Sequence, residues 1–234
     1  MPALPALAVV YAISVVRLRI WRIAPGQRRV TIGMLAMAIA STLFLPFVGE
    51  RIIDPRNLLG ANLSDLGQHL FALLGCYELS AAAIECARGE RWPIRYLRLV
   101  AVIFAAGLIL TYWLGGEWTT PSDEFQLSDP WSLAHDWIVL TSLLASFVIV
   151  LLVSLETMIL GPQRLTMILM YCLATIAIGR SGTIAVLLVV APDWVRSQYH
   201  EWVMNWSVVG HSTLAIVGIA GLRDAWMRRQ EPRR

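Results

Sequence analysis

The sequence predicts an all-α protein, a polytopic integral membrane bundle of seven transmembrane helices with its N-terminus outside and its C-terminus in the cytoplasm. The chain of 234 residues is 57% hydrophobic and 15% charged, too little charge to cover a soluble domain. Seven apolar stretches come close to the roughly 20 residues that cross about 30 Å of hydrocarbon. The arginines fall almost entirely on alternate connections, as expected of cytoplasmic loops. We therefore expect residues 1–234 to form a single transmembrane domain.

The first two segments are predicted over residues 5–21 and 30–48. Segment one is short, so Arg17 and Arg19 near its end are expected to extend toward the cytoplasmic headgroups. No positive charge precedes its apolar part, unlike in a cleaved signal peptide, which favours an external N-terminus. If segment one lies on the membrane surface instead, the N-terminus moves inside and the other six segments keep their orientation. Pro46 is expected to bend or end segment two.

The other five segments are long apolar stretches between polar connections. Segment three follows Asn62, which together with Asp65 resembles an N-terminal helix cap. Tryptophans stand near several segment ends, where the indole ring favours the membrane interface. These segments are predicted over residues 63–87, 97–114, 134–158, 165–190 and 199–222.

The distribution of basic residues indicates the orientation and the location. All 19 basic residues are arginine, which suggests a GC-rich genome such as that of an actinobacterium or its phage. On the predicted topology, fifteen lie on the cytoplasmic side and three outside, and Arg180 lies within segment six. We expect a bacterial inner-membrane protein whose basic clusters contact anionic lipid headgroups. The sequence has no basic soluble face for nucleic acid.

One connection is long and acidic. The stretch from Gly115 to Leu133 is predicted to lie outside. Long loops are often functional, so it is either a solvated loop or a surface that binds a protein partner or a cation. Homo-oligomerisation is a further alternative that the sequence leaves open. The acidic residues of this loop are Glu117, Asp123, Glu124 and Asp129.

Three histidines are predicted near the external face, each with an acid close by in the sequence. Zinc takes three or four such ligands, and histidines on different helices could also hold a haem. Helix capping and ordinary interfacial polarity explain the same residues, and no HExxH motif is present. The sequence thus predicts no cofactor, with zinc or haem as the alternative. The residues are His69, His135 and His200, with Asp65, Asp136 and Glu201.

Three further polar residues are predicted at the depth of the central hydrocarbon layer. They are Glu78, Arg180 and His211. An isolated charge there costs at least about 2.5–3.5 kcal/mol, so such groups pair or line a wet cavity. We expect Glu78 to pair with Arg180 near His211, either as an ion or proton pathway or as an internal salt bridge. Small residues flanking Arg180, Gly179 among them, predict a closely packed neighbouring helix.

The stretch from Arg51 to Ile84 resembles part of an actinobacterial family of multi-helix membrane proteins to which transport is ascribed. The likeness covers the family's membrane half; the family continues into a soluble C-terminal domain, whereas this sequence stops at Arg234. It implies a similar topology and origin. The matching positions are Asp54, Asn62, Leu63, His69 and Leu70.

The function expected from the sequence is transport or passage of a small solute or ion, with no catalytic residue assigned. One alternative is a non-catalytic signalling protein, or a prophage-encoded exclusion or defence protein, acting through the acidic loop. Another is a membrane-embedded metal-dependent enzyme that uses the external histidines.

Overall fold

In the computed structural model the described residues are 3–19, 25–45, 47–49, 62–88, 92–115, 129–160 and 165–230, and this part of the chain is helical with no strand. The all-α fold class is confirmed. The described helices are α1 (Ala3–Leu18), α2 (Pro25–Leu43), α3 (Leu63–Arg88), α4 (Trp92–Leu114), α5 (Pro130–Leu160), α6 (Leu165–Val190) and α7 (Pro192–Gln230).

Several helices begin earlier than the apolar pattern predicts, because prolines start them. Pro25, Pro130 and Pro192 are the first residues of α2, α5 and α7. A proline fits the first helical turn, where its missing N–H would have no intrahelical partner. The extension of α2 back to Pro25 matters most, because it puts Arg29 on a helix rather than in a loop. Pro46 itself lies outside the described residues, and α2 ends at Leu43.

Five helices of the described chain are long and apolar enough to cross a membrane. They lie within α3 to α7, whereas the apolar part of α1 is shorter, Leu4–Leu18. In α4, 17% of the residues of the most apolar window are buried, although their mean hydropathy is 2.0. A helix this apolar with so little burial is suited to contact lipid rather than water.

Six helices form a closed ring in the order α1, α2, α3, α5, α6, α7, with α7 returning to α1. Helix α4 lies outside this ring and packs on α3 and α5. Side-chain contacts show that helices consecutive in the chain run in opposite directions, whereas the ring neighbours α3 and α5, and likewise α1 and α7, run in the same direction. The ends of α1 and α3 meet the start of α2, the start of α6 meets the end of α7, and the starts of α3 and α5 meet the end of α4.

These contacts define two ends of the bundle. The histidine end contains His69 of α3, Thr111 of α4 and His135 of α5. The arginine end contains Arg17 of α1 and Arg29 of α2, together with Glu85 near the end of α3.

Helices α2 and α3 approach closely through two glycines. A Cβ atom on Gly75 would lie 2.8 Å from Met37 Cγ and 3.2 Å from the Gly33 carbonyl oxygen. A Cβ on Gly33 would lie 2.9 Å from Leu79 Cγ. Small residues of this kind let helix backbones approach, as in many membrane bundles. The close packing predicted around Arg180 is wrong at Gly179 and Gly182, where a Cβ would meet no other atom within 4 Å.

Arg17 is fully buried, so the prediction that its side chain extends to the headgroups is wrong. Its Nε donates to Thr31 Oγ1 at 3.1 Å and its Nη1 to the Gly218 carbonyl oxygen at 2.6 Å. Its Nη2 donates to Gln27 Oε1 at 2.6 Å and to the Gln27 carbonyl at 3.2 Å. These oxygens replace water around the cation, which is what permits its burial. Gly221 leaves the space, since a Cβ there would lie 2.6 Å from Arg17 Nη1.

Candidate functional site

A cavity of about 160 Å³ lies inside the helix ring. Residues of α2, α3, α5, α6 and α7 line it, and most of them are apolar. A cavity of this size is comparable to one that holds a benzene ring. The described lining residues include no aspartate or glutamate. The polar and titratable ones are Ser41, Gln68, His69, Arg180, Ser181, Ser207 and His211.

Arg180 and His211, two members of the predicted intramembrane cluster, both line this cavity. His211 is buried, and its Nδ1 lies 2.6 Å from the Ser207 carbonyl oxygen, one turn earlier on α7. Because a carbonyl can only accept, Nδ1 carries the proton in this contact. Arg180 is half-buried on α6. The guanidinium of Arg180 and the imidazole of His211 thus line the same, mostly apolar cavity.

Glu78, the third member of the predicted cluster, is not a lining residue and has a different partner from the one expected. Arg29 Nη1 lies 2.9 Å from Glu78 Oε2, so Arg29 replaces Arg180 as its ion-pair partner. Arg29 Nε also lies 2.9 Å from Glu85 Oε2. Glu78 and Glu85 are seven residues apart, two helical turns, and therefore share the face of α3 that meets α2. The glycine contact of α2 and α3 sets the distance at which Arg29 reaches both.

Two of the three predicted external histidines are in contact. His69 Nδ1 and His135 Nε2 lie 2.9 Å apart, and the ring centroids are separated by 5.1 Å. His135 is 1% exposed, and His69 is half-buried and lines the cavity. The helix order explains the contact, because α3 and α5 are neighbours in the ring and both start at this end.

Thr111, which no sequence motif marks, fixes the tautomer of His135. Thr111 Oγ1 donates to the Gly107 carbonyl oxygen at 2.9 Å, and it lies 3.0 Å from His135 Nδ1. Since its proton goes to Gly107, the hydroxyl accepts from His135 Nδ1–H. The neutral His135 ring then directs the lone pair of Nε2 toward His69. Thr111 lies near the end of the fourth predicted segment, and the predicted topology places that end at the same face as the histidines. This is the signal in the sequence that Thr111 lies near them.

Asp65 completes a group of three side chains whose ligand atoms all lie within 4.8 Å of one another. Its Oδ2 is 3.7 Å from His69 Nδ1, four residues later on the same face of α3. The group is one that could hold a metal ion. The sequence offers Asp65 both as a helix-cap residue and as a metal ligand, and its carboxylate lies beside the histidine pair.

Two of the other predicted metal ligands, Asp136 and Glu201, are not part of this group. Glu201 is exposed on α7, and Asp136 is half-buried beside His135 in the sequence. The side chain of His200 lies outside the described part of the structure. In the acidic loop, Asp129 Oδ2 accepts from the Ser132 backbone N–H at 2.7 Å, which caps the start of α5. The loop's other acids, Glu117, Asp123 and Glu124, lie outside the described residues.

Comparisons with protein-family models, curated proteins and solved structures find no match to this chain. Its activity must therefore be inferred from its own residues. The resemblance of the stretch from Arg51 to Ile84 to an actinobacterial family stays a prediction.

Proposed function

We propose that this protein carries a small organic anion across a bacterial inner membrane by way of the cavity in the helix ring. The cavity is the observation that carries the proposal. Its apolar walls and its size, about 160 Å³, fit a compact solute with a hydrocarbon part. Its charged groups are Arg180 and, when protonated, His69 and His211, and no acid lines it among the described residues.

The charge of the cavity selects the class of solute. Arg180 lines the cavity, and a guanidinium binds a carboxylate through two parallel hydrogen bonds. A cation would be repelled by the charge of Arg180, and the described lining residues offer it no carboxylate. A solute whose carboxylate binds Arg180 and whose hydrocarbon part packs against Phe147 and Leu173 would match both the charged and the apolar parts of the cavity wall.

The membrane topology of this proposal is seven spans, with the N-terminus outside and the C-terminus in the cytoplasm. It is supported by the five long apolar helices, by the opposite directions of helices consecutive in the chain and by the excess of arginine on alternate connections. In this orientation the histidine end faces outward and the arginine end faces the cytoplasm. Basic residues at the latter would contact anionic headgroups.

The test is transport by purified protein in liposomes loaded with buffer. Uptake of a panel of radiolabelled monocarboxylates, with a matched panel of amines, measures which charge is carried. We expect uptake of at least one small carboxylate and none of the amines. Arg180→Gln should reduce the uptake at least tenfold, and Arg180→Lys should retain part of it.

Arg95→Gln is the matched control, since Arg95 is exposed on α4 and does not line the cavity. It should transport like the unmodified protein. Equal carboxylate uptake by folded Arg180→Gln protein would contradict the proposal. So would transport of the amines in place of the carboxylates.

The two alternatives from the sequence stay predictions. A signalling or exclusion role depends on the acidic loop, most of which lies outside the described residues. A metal-dependent enzyme requires a metal at the histidine end. The contact of His69 with His135 favours this second candidate, and a metal-dependent turnover assay on the purified protein would test it.

A further inference from the structure

We propose that Asp65, His69 and His135 form a binding site for a divalent transition-metal ion, with Zn²⁺ as the ion that fits best. The site lies at the histidine end of the bundle and is built from two neighbouring helices, α3 and α5. This inference does not depend on the proposed transport function.

Two of the three distances between ligand atoms are close to those of a tetrahedral zinc site. With Zn–N bonds of about 2.0–2.1 Å, two ligand atoms at a tetrahedral angle lie roughly 3.3 Å apart. His69 Nδ1 is 2.9 Å from His135 Nε2 and 3.7 Å from Asp65 Oδ2, on either side of that value. The third pair, His135 Nε2 and Asp65 Oδ2, lies within 4.8 Å, so the exposed Asp65 side chain is the ligand that moves inward when an ion binds.

The hydrogen bond from His135 to Thr111 prepares His135 as a ligand. A metal-bound imidazole coordinates through one nitrogen and donates the N–H of the other to a fixed acceptor. His135 has this arrangement already, because Nδ1–H donates to Thr111 Oγ1 and Nε2 faces the site. Thr111 in turn is fixed by its bond to Gly107, so the acceptor does not need to reorganise when an ion binds.

His69 changes its tautomer when the ion binds. Without metal, a proton on His69 Nδ1 makes the short contact to the lone pair of His135 Nε2. A metal ion takes the place of this proton, and the neutral His69 ring then carries its proton on Nε2. No proton is gained or lost overall. Because the His69 side chain is 12% exposed, water can exchange this proton.

The donor set selects the ion. Two imidazoles with one carboxylate suit zinc and other late first-row metals, whereas magnesium and calcium prefer oxygen ligands. Three protein ligands leave a fourth position open for water or another small ligand. The Asp65 side chain is 40% exposed, so the ion has an entry path and a counter-charge at the surface.

The experiment is metal titration of the purified full chain in detergent, with Zn²⁺ followed by calorimetry and Co²⁺ by its visible absorption. We expect one high-affinity ion per chain, with a tetrahedral cobalt spectrum. His135→Ala and Asp65→Ala should each weaken binding at least a hundredfold. His69→Cys should keep binding and add a thiolate-to-cobalt charge-transfer band, a signature that no merely structural role of His69 would produce.

Two further variants separate this site from its surroundings. Thr111→Val should weaken Zn²⁺ binding about 10–100-fold, since the outer partner of a ligand has this effect. Arg180→Gln should bind Zn²⁺ like the unmodified protein even though we expect it to lose transport, so the two proposals can fail independently of each other.

Absence of stoichiometric Zn²⁺ or Co²⁺ binding by the folded chain would overturn the proposed metal site. Binding unchanged in folded His135→Ala protein would overturn it as well.

Discussion

Arg29 is held between two carboxylates of α3, with Nη1 2.9 Å from Glu78 Oε2 and Nε 2.9 Å from Glu85 Oε2. All three side chains are between 12% and 22% exposed, so water screens them only in part. The ion pairs join the start of α2 to the second half of α3. They therefore determine how these two helices are aligned along their length.

Arg29→Gln should destabilise the protein more than Glu85→Gln. The first change leaves two carboxylates without their cation, whereas the second leaves Arg29 bound to Glu78. We expect a loss of about 2 kcal/mol for Arg29→Gln and roughly half of that for Glu85→Gln. Denaturation of the purified variants in detergent measures the difference. The reverse order of stability would mean that the shared arginine does not hold this interface.

Gly75→Val should disrupt the packing of α2 on α3. The added Cβ would lie 2.8 Å from Met37 Cγ, and the nearby Gly33 backbone cannot move away without shifting α2. Overpacking of this kind costs about 1–3 kcal/mol. Gly179→Ala is the matched control, because a Cβ there meets no atom within 4 Å. It should be neutral or slightly stabilising, since alanine favours a helix over glycine by about 1 kcal/mol.

Arg17 should be irreplaceable by lysine. Its planar guanidinium donates to three residues at once, and a lysine ammonium cannot reproduce this geometry. Arg17→Lys and Arg17→Ala should each lower the free energy of unfolding by about 2–4 kcal/mol, because they strand buried acceptors. Arg19→Ala, at an exposed neighbour, should change it by less than about 0.5 kcal/mol. Thermal melts in detergent of the three variants compare these values, and equal stability would refute the role of Arg17.

Cysteine labelling tests the orientation. In a background where Cys76, Cys86 and Cys172 are replaced by alanine, single cysteines at Trp131 and at Trp226 report on opposite ends of the bundle. Both positions are exposed. A membrane-impermeant maleimide added to intact cells should label the cysteine at position 131 and leave that at position 226 unmodified until the membrane is opened. Labelling of position 226 in intact cells would reverse the proposed orientation.

The helices are predictable from the sequence because apolar stretches between charged connections are a strong signal. The residues at which the helices start are less predictable, because Pro25 and Arg29 resemble loop residues by composition. The distribution of arginines therefore places Arg29 in the cytoplasmic connection rather than on a helix. The partner of Glu78 was missed for the same reason. The spacing of Glu78 and Glu85 by two turns was the signal for a shared cation, but only the glycine contact of Gly33 and Gly75 identifies α2 as the helix that supplies it.

The candidate metal group was predictable in part. Topology alone puts His69, His135 and His200 at one face, but the order of helices around the ring decides which of them touch. That order depends on the fit of many side chains, which a hydrophobic pattern does not contain. Arg17 illustrates the same limit, because its burial requires oxygens from α2 and α7 that are distant in the sequence.

Because α4 lies outside the ring, packing constrains the residues on only one of its faces. Its inward residues, Leu108, Thr111 and Tyr112, are buried against α3 and α5, whereas Ile103 and Leu110 face away. Outward positions require only an apolar side chain, so one bulky aliphatic residue can replace another there. Along α4, tolerance to replacement should therefore rise and fall with each helical turn, and Thr111 should be among its least replaceable residues.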